Sequence, residues 1–169
     1  DINCPAIPVT MFESELFGHE AGAFTGATHK KVGLMEVADK GILFLDEIAS
    51  MPLELQAKLL RAIEERSFRR LGGNTLINVD VQILAASNRN LKEMIANGTF
   101  REDLYYRLKV SDLDLPPLAA RKQDIPNLVG YMLRKFTMRS GSQITDVTPR
   151  AMQSLMDYSW PGNIRELRH

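Results

Sequence analysis

The chain has a single cysteine, Cys4, which excludes an internal disulfide and fits a reducing compartment. It has no excess of charge: 21 lysine and arginine residues balance 21 aspartate and glutamate residues, so no global field draws it to DNA or to an acidic membrane. Any partner contact must be local. No apolar run is long enough to span a bilayer and no signal peptide opens the chain, so no membrane association is expected. Internal repeats and low-complexity tracts are lacking too. A start methionine is also missing: the chain begins Asp1-Ile2-Asn3-Cys4-Pro5, and its close, Arg165-Glu166-Leu167-Arg168-His169, has the pattern of a helix interior. The expectation is a soluble, cytoplasmic piece of a longer protein. At 169 residues it can bury one good core, at most with a small appendage.

What is present is organised around Gly41-Ile42-Leu43-Phe44-Leu45-Asp46-Glu47-Ile48, an apolar run that ends in two adjacent carboxylates. The run reads as a strand buried on both faces of a parallel sheet. Its charged end then lies at the carboxyl edge, where ligands of open α/β sheets bind. Two readings of Asp46 and Glu47 stand side by side. In nucleoside triphosphatases the first carboxylate of such a pair holds magnesium and a neighbour can polarise a water. Alternatively, the two acids only cap the next helix. A magnesium-dependent phosphatase or nuclease is disfavoured because no further acidic cluster is available for a second metal. Cys4, His19 and His29 have a spacing that fits no zinc pattern.

Along the chain, Thr10 to Glu20 has helical spacing and then breaks into Gly22-Ala23-Phe24-Thr25-Gly26-Ala27, a composition suited to a tight loop. Phe24 at its tip either tucks into the core or marks a partner. Leu34 to Val37 is helical, with Gly41 as the expected stop. Ser50 is placed to cap a helix carrying Pro52 in its first turn and Leu55, Leu59, Leu60 and Ile63 on one face. Arg66 to Asn74 is basic and then glycine-rich, either a partner-facing or nucleic-acid loop or a solvated hairpin. Val79 to Ala86 gives a second buried strand, followed by Ser87-Asn88-Arg89-Asn90. Helices are expected over Leu91–Ala96 and Phe100–Leu108, with Arg101 and Arg107 read alone as surface salt-bridge partners. Lys109 to Leu115 gives a third strand, ended by Pro116-Pro117. From Arg121 the pattern is helical only: one stripe through Ile125 to Phe136, a loop at Ser140-Gly141-Ser142, a helix opened by Thr148-Pro149, a turn at Trp160-Pro161-Gly162-Asn163 and a last helix from Ile164.

Five stretches together carry a resemblance. Glu13 to Glu20, the loop Gly22 to Ala27, Leu43-Phe44-Leu45-Asp46-Glu47-Ile48, Phe100 to Leu108 and Trp160 to Leu167 resemble, in order and over the whole chain, the central AAA+ ATPase domain of sigma-54-dependent transcriptional activators. The loop GAFTGA is among the most specific signatures of that family. The resemblance implies an α/β fold of the P-loop NTPase type, a parallel sheet flanked by helices over residues 1–120, followed by part of a small helical subdomain over 121–169. It implies ATP and Mg2+ as cofactors. Asp46 then holds the magnesium, Glu47 polarises the attacking water and Asn3 hydrogen-bonds that glutamate. Asn88 is the first sensor, Arg101 and Arg107 are arginine fingers that reach a neighbouring subunit's nucleotide, and Arg165 is the second sensor. Gly22, Ala23, Phe24, Thr25, Gly26 and Ala27 contact sigma-54 in the closed complex of sigma-54 RNA polymerase, with Arg66 to Gly73 in or beside a second pore loop. Fingers supplied in trans imply a homo-oligomeric ring, a hexamer in this family. DNA binding and the regulatory signal belong to separate domains.

The chain departs from the family in one respect. A phosphate-gripping Gly-x-x-x-x-Gly-Lys motif, or the family's variant of it, is absent from these residues, and with it the strand that should precede it in the middle of the sheet. The expectation is a gap in the sheet and a chain that, alone, neither binds ATP tightly nor hydrolyses it. The alternative function is a module that docks sigma-54 without hydrolysis. A smaller departure, Leu118-Ala119-Ala120-Arg121 in place of the usual Leu-Arg-Glu-Arg, is expected to alter hinge contacts only.

Overall fold

The run at residues 42–46 is the middle strand of a three-stranded parallel sheet. The computed structural model describes residues 1–141, 144 and 146–169, and the chain comprises two compact units, Asp1–Asp112 and Leu113–His169.

In the first unit, β1 (Ile2–Asn3) leads through a 3-10 turn into α1 (Val9–Phe17). The helix stops three residues earlier than its spacing suggests. Gly18 takes φ +76, and a Cβ there would sit 2.4 Å from the Lys31 carbonyl oxygen. This close approach lets β2 (Gly18–His19) pair antiparallel with β3 (Lys31–Val32), and the loop at 22–27 hangs between them. A short α2 (Leu34–Val37) follows, and Lys40 at φ 58, not Gly41, makes the left-handed turn into β4 (Ile42–Asp46).

Beyond β4, a 3-10 turn over Ile48–Ser50 precedes α3 (Leu53–Glu65). Its N-cap is Pro52 rather than Ser50, and no side chain caps it. The helix is held by its apolar face instead, with Leu55, Leu59 and Leu60 buried. β5 (Ser67–Phe68) and β6 (Ile77–Asn78) then form an antiparallel pair. β7 (Gln82–Ala85) completes the sheet in the order β1-β4-β7, and α4 (Leu91–Ala96) and α5 (Glu102–Leu108) close the unit.

The core gathers on one face of the sheet, around Leu43, Leu45, Leu59, Phe12, Leu16 and Leu104. Burial on both faces of β4 does not hold: Ile42 is 63% exposed and Phe44 only half-buried. β7 is half-covered likewise, with Leu84 at 56%. The strand expected at Lys109–Leu115 is absent. A strand needs a neighbour to take its backbone groups, and this segment pairs with no described strand; Val110 is 90% exposed. On its side away from β4, β7 has no strand partner among the described residues.

The second unit is helical: α6 (Ile125–Ser140), α7 (Pro149–Asp157) and α8 (Asn163–Arg168). Leu118, Ile125, Val129 and Trp160 form its core. Gly141 at φ 66 stops α6, Thr148 caps α7 by accepting from the Ala151 N–H, and of the expected loop Ser142 lies outside the described residues. Among the described residues no helix is long and apolar enough to cross a membrane.

Candidate functional site

Three strand ends meet at the carboxyl edge of the sheet. Asn3, at the end of β1, is the register partner of Asp46 in β4. Such partners lie about 5 Å apart and point to the same side, so the amide and the carboxylate share one corner. Glu47 then turns the chain out of the sheet in a left-handed conformation, φ 54 and ψ 47, with its N–H donating to Asp46 Oδ1 at 3.1 Å. A non-glycine residue in that region is uncommon and such residues gather at functional sites. β7 emerges alongside. The Ala86 N–H donates to the Leu45 carbonyl and the Ile48 N–H to the Ala86 carbonyl, each at 2.9 Å, so Ser87 and Asn88 leave the sheet beside the Glu47 turn.

The four side chains at this edge are poorly engaged. Asn3 and Asn88 are exposed, Asp46 and Glu47 half-buried, and among the described residues the Glu47 N–H is their only hydrogen-bond partner. Burial, and then the Asp46 and Glu47 charges, push the neighbouring Cys4 thiol up to about 11. No group of three or more His, Cys, Asp or Glu among the described residues could hold a metal alone. A single half-buried carboxylate fits a magnesium ion that keeps several waters and shares phosphate oxygens with its ligand.

The loop is a separate construction. The Gly22 N–H donates to the Ala27 carbonyl at 2.7 Å and closes it, while Gly22 and Gly26 take φ +82 and +101. Phe24 is 45% exposed, its ring edge-on to His19 at 5.0 Å. It neither enters the core nor stands free. His19 is itself held by Ser14, Oγ to Nδ1 at 2.7 Å.

The basic stretch at 66–74 packs on the base of this loop. The Glu20 N–H donates to the Leu71 carbonyl and the Leu71 N–H to the Gly18 carbonyl, both at 3.0 Å. Gly72 lies so close that a Cβ would meet Ala23 Cβ at 2.8 Å. Arg70 is buried and spends its charge inside: 2.8 Å to Glu20 and 2.5 Å to Glu36. The 66–74 stretch thus lies in a hairpin between β5 and β6, and its central arginine is not solvated.

Arg101 is the N-cap of α5 and Arg107 lies in its last turn. Six helical residues span about 9 Å along the axis. The Arg101 guanidinium grips Asp103 at 3.0 and 2.6 Å and holds that carboxyl below the ordinary range. Arg107 is exposed and has no hydrogen-bond partner among the described residues. Arg165 is exposed on α8, in the second unit. The helix starts from a strained turn, with Trp160 at φ 48 and Asn163 at φ 52, and the Asn163 side chain accepts from the Leu118 N–H at 2.7 Å.

Sequence reasoning missed Gln56. It is fully buried and hydrogen-bonded to three backbone groups, the Arg101 N–H among them. The available signal was a polar residue within the apolar stripe of α3.

Residues 1–114 match the profile of the Sigma-54 interaction domain and residues 119–169 that of an AAA+ ATPase lid domain. The chain belongs to the sigma-54 interaction domain family. Among curated relatives it is 55% identical to the regulatory protein AtoC of Escherichia coli, over 98% of this chain and 36% of AtoC. It is 50% identical to the formate hydrogenlyase transcriptional activator FhlA of Escherichia coli, over 99% of this chain and 24% of FhlA. Among solved structures, NtrX of Brucella abortus in complex with ATP superposes with a TM-score of 0.90 at 44% identity, covering 99% of this chain and 36% of NtrX. The chain thus spans roughly a quarter to a third of the proteins it matches.

Proposed function

We propose that this chain is the motor part of an ATP-driven activator that remodels sigma-54 RNA polymerase closed complexes, working as a hexameric ring in the cytoplasm. The observation that carries the reading is the pairing of two assemblies within one unit: an edge of unengaged polar side chains at three strand ends, and a closed, apolar-tipped loop. Asp46 holds the magnesium of ATP. The bound ion supplies charge neutralisation on the phosphate oxygens. Glu47 accepts a hydrogen bond from the attacking water and orients it, and Asn3, beside Asp46, steadies that carboxylate. Asn88 reads the γ-phosphate at the same edge. Arg101 and Arg107 serve a neighbouring subunit's nucleotide, where they offset charge developing on the transferred phosphoryl group. Arg165 contacts nucleotide from the helical unit. Phe24 and Thr25 bear on sigma-54 when the loop moves, with Arg66 to Gly73 moving alongside.

These residues include no phosphate-gripping glycine loop, so the 169-residue chain alone is expected to lack useful turnover. The longer protein containing it is the subject of the test. There, Glu47→Gln should lower ATP hydrolysis by about 100-fold or more with nucleotide binding retained, and Phe24→Ala should abolish open-complex formation while hydrolysis persists. Hydrolysis unaffected by Glu47→Gln would sink the catalytic assignment. Activation unaffected by Phe24→Ala would sink the assignment of the loop.

A further inference from the structure

Gln56 is 0% exposed, in the middle of α3, and its amide is spent entirely on main-chain groups. Its Nε2 donates to the Met51 carbonyl at 2.8 Å and, more distantly, to the Thr99 carbonyl at 3.4 Å. Its Oε1 accepts from the Arg101 N–H at 2.8 Å. A buried amide so satisfied is not by itself unusual. What distinguishes this one is the identity of the groups it joins. Met51 closes the 3-10 turn that follows Glu47, so one end of the amide grips the segment that follows the carboxylate proposed to orient the attacking water. Arg101 is the residue where α5 begins, so the other end grips the main chain beneath a proposed finger.

The surroundings fix that main chain on both sides. Phe100 is 2% exposed and Leu104 0%, so the chain around residue 101 is seated in the core. The Arg101 side chain is the opposite: 42% exposed and, among the described residues, gripping only Asp103 of its own helix. A long side chain on a fixed root can exchange that pairing for an anionic ligand outside its own unit, whereas a drifting root would spread its reach. Positioning errors of about 1 Å cost catalytic geometries roughly 100-fold.

We infer that Gln56 is a positioning residue for the arginine finger, anchoring the Arg101 backbone and tying it to the turn behind Glu47 of the same subunit. The inference rests on the proposed in-trans role of Arg101. It gives the ring a direct link between the acid of one site and the finger offered to the next, through a single side chain.

Mixed rings of the full-length protein test it. Gln56→Met keeps the volume and removes all three hydrogen bonds, and it should cut hydrolysis by about 30- to 100-fold while nucleotide affinity changes less than threefold. Mixed in equal amounts with Glu47→Gln subunits, whose fingers are intact, it should regain roughly a quarter of wild-type hydrolysis, because half the sites keep Glu47 and half of those face an intact finger. If Gln56 instead serves its own subunit's site, mixing restores nothing and the inference falls. Arg101→Ala mixed with Glu47→Gln is the control. Failure of that control overturns the in-trans reading itself, whereas restoration there without restoration for Gln56→Met overturns only the role of Gln56. Should Gln56→Met not assemble, Gln56→Glu in its protonated form keeps an oxygen facing the Arg101 N–H and an O–H donor facing the Met51 carbonyl, and once folded it should hydrolyse within about fivefold of wild type. A loss as deep as that of Arg101→Ala would overturn the proposal.

Discussion

The carboxyl edge of the sheet and the loop assembly lie in one unit and are built on opposite plans. At the edge, Asn3, Glu47 and Asn88 make no side-chain hydrogen bonds among the described residues and Asp46 accepts one from its neighbour's backbone. Around the loop nearly every polar group is taken: Ser14 by His19, Glu20 and Glu36 by Arg70, and the strand ends by Leu71. An edge with free polar groups is ready to receive a ligand. A base held this way, with only the Arg70 Nε left unpaired at its centre among the described residues, is moved by breaking bonds it already has. The two kinds of site should therefore fail differently, the first in chemistry and the second in stability.

The largest contrast is expected between Glu47→Gln and Arg70→Met. The first should leave thermal stability within about 0.5 kcal/mol of the parent, because it removes no contact of the described structure. The second leaves the Glu20 and Glu36 carboxylates facing one another without their cation, and should cost about 2–3 kcal/mol in urea unfolding. Both partners are partly exposed, which keeps the figure below that of a fully buried pair. Equal effects of the two substitutions on stability would erase the distinction drawn between edge and base.

A finer comparison lies within the loop assembly. Gly22 and Gly72 share positive φ, at +82 and +69, but a Cβ on Gly22 meets nothing within 4 Å while one on Gly72 meets Ala23 at 2.8 Å. Alanine at either position pays the left-handed strain of about 1 kcal/mol. Only Gly72→Ala adds a clash between the two loops, for a total of about 2 kcal/mol with faster amide exchange over residues 20–27. Identical costs at the two glycines would show that the 66–73 stretch does not press on the loop.

The same contrast explains what could be read from the sequence. Asp46 and Glu47 were legible because a strand that ends in acids needs only its own periodicity to be placed. The loop's glycines were legible because local backbone demands select them. Arg70 was not, since its partners Glu20 and Glu36 are 50 and 34 residues away and nothing local marks an arginine as buried. Gln56 hid likewise, because its partners are main-chain atoms, which carry no sequence signal. The strand expected at Lys109–Leu115 failed for a related reason. A segment's own residues state what it could do in a sheet, while a neighbouring strand decides whether it does.

The smallest expected effect sharpens the edge from beneath. Cys4 follows Asn3 directly and its thiol is 3% exposed; burial first, and the Asp46 and Glu47 charges after it, raise its proton affinity to about 11 from an ordinary value of 9.0. Below pH 9 the thiol is protonated in both folded and unfolded chains and contributes no pH dependence. Between about pH 9 and 11 the unfolded chain releases the proton while the folded one retains it, so stability falls as pH rises. The loss is about 1–2 kcal/mol across that window, allowing for screening near the edge. Cys4→Ala should be less stable at neutral pH because it leaves a small void, yet its unfolding free energy should decline less steeply from pH 9 to 11 than that of the parent. Parallel declines would mean that neither burial nor the two carboxylates hold the thiol's proton, and that the surroundings of Cys4 are wetter than its burial suggests.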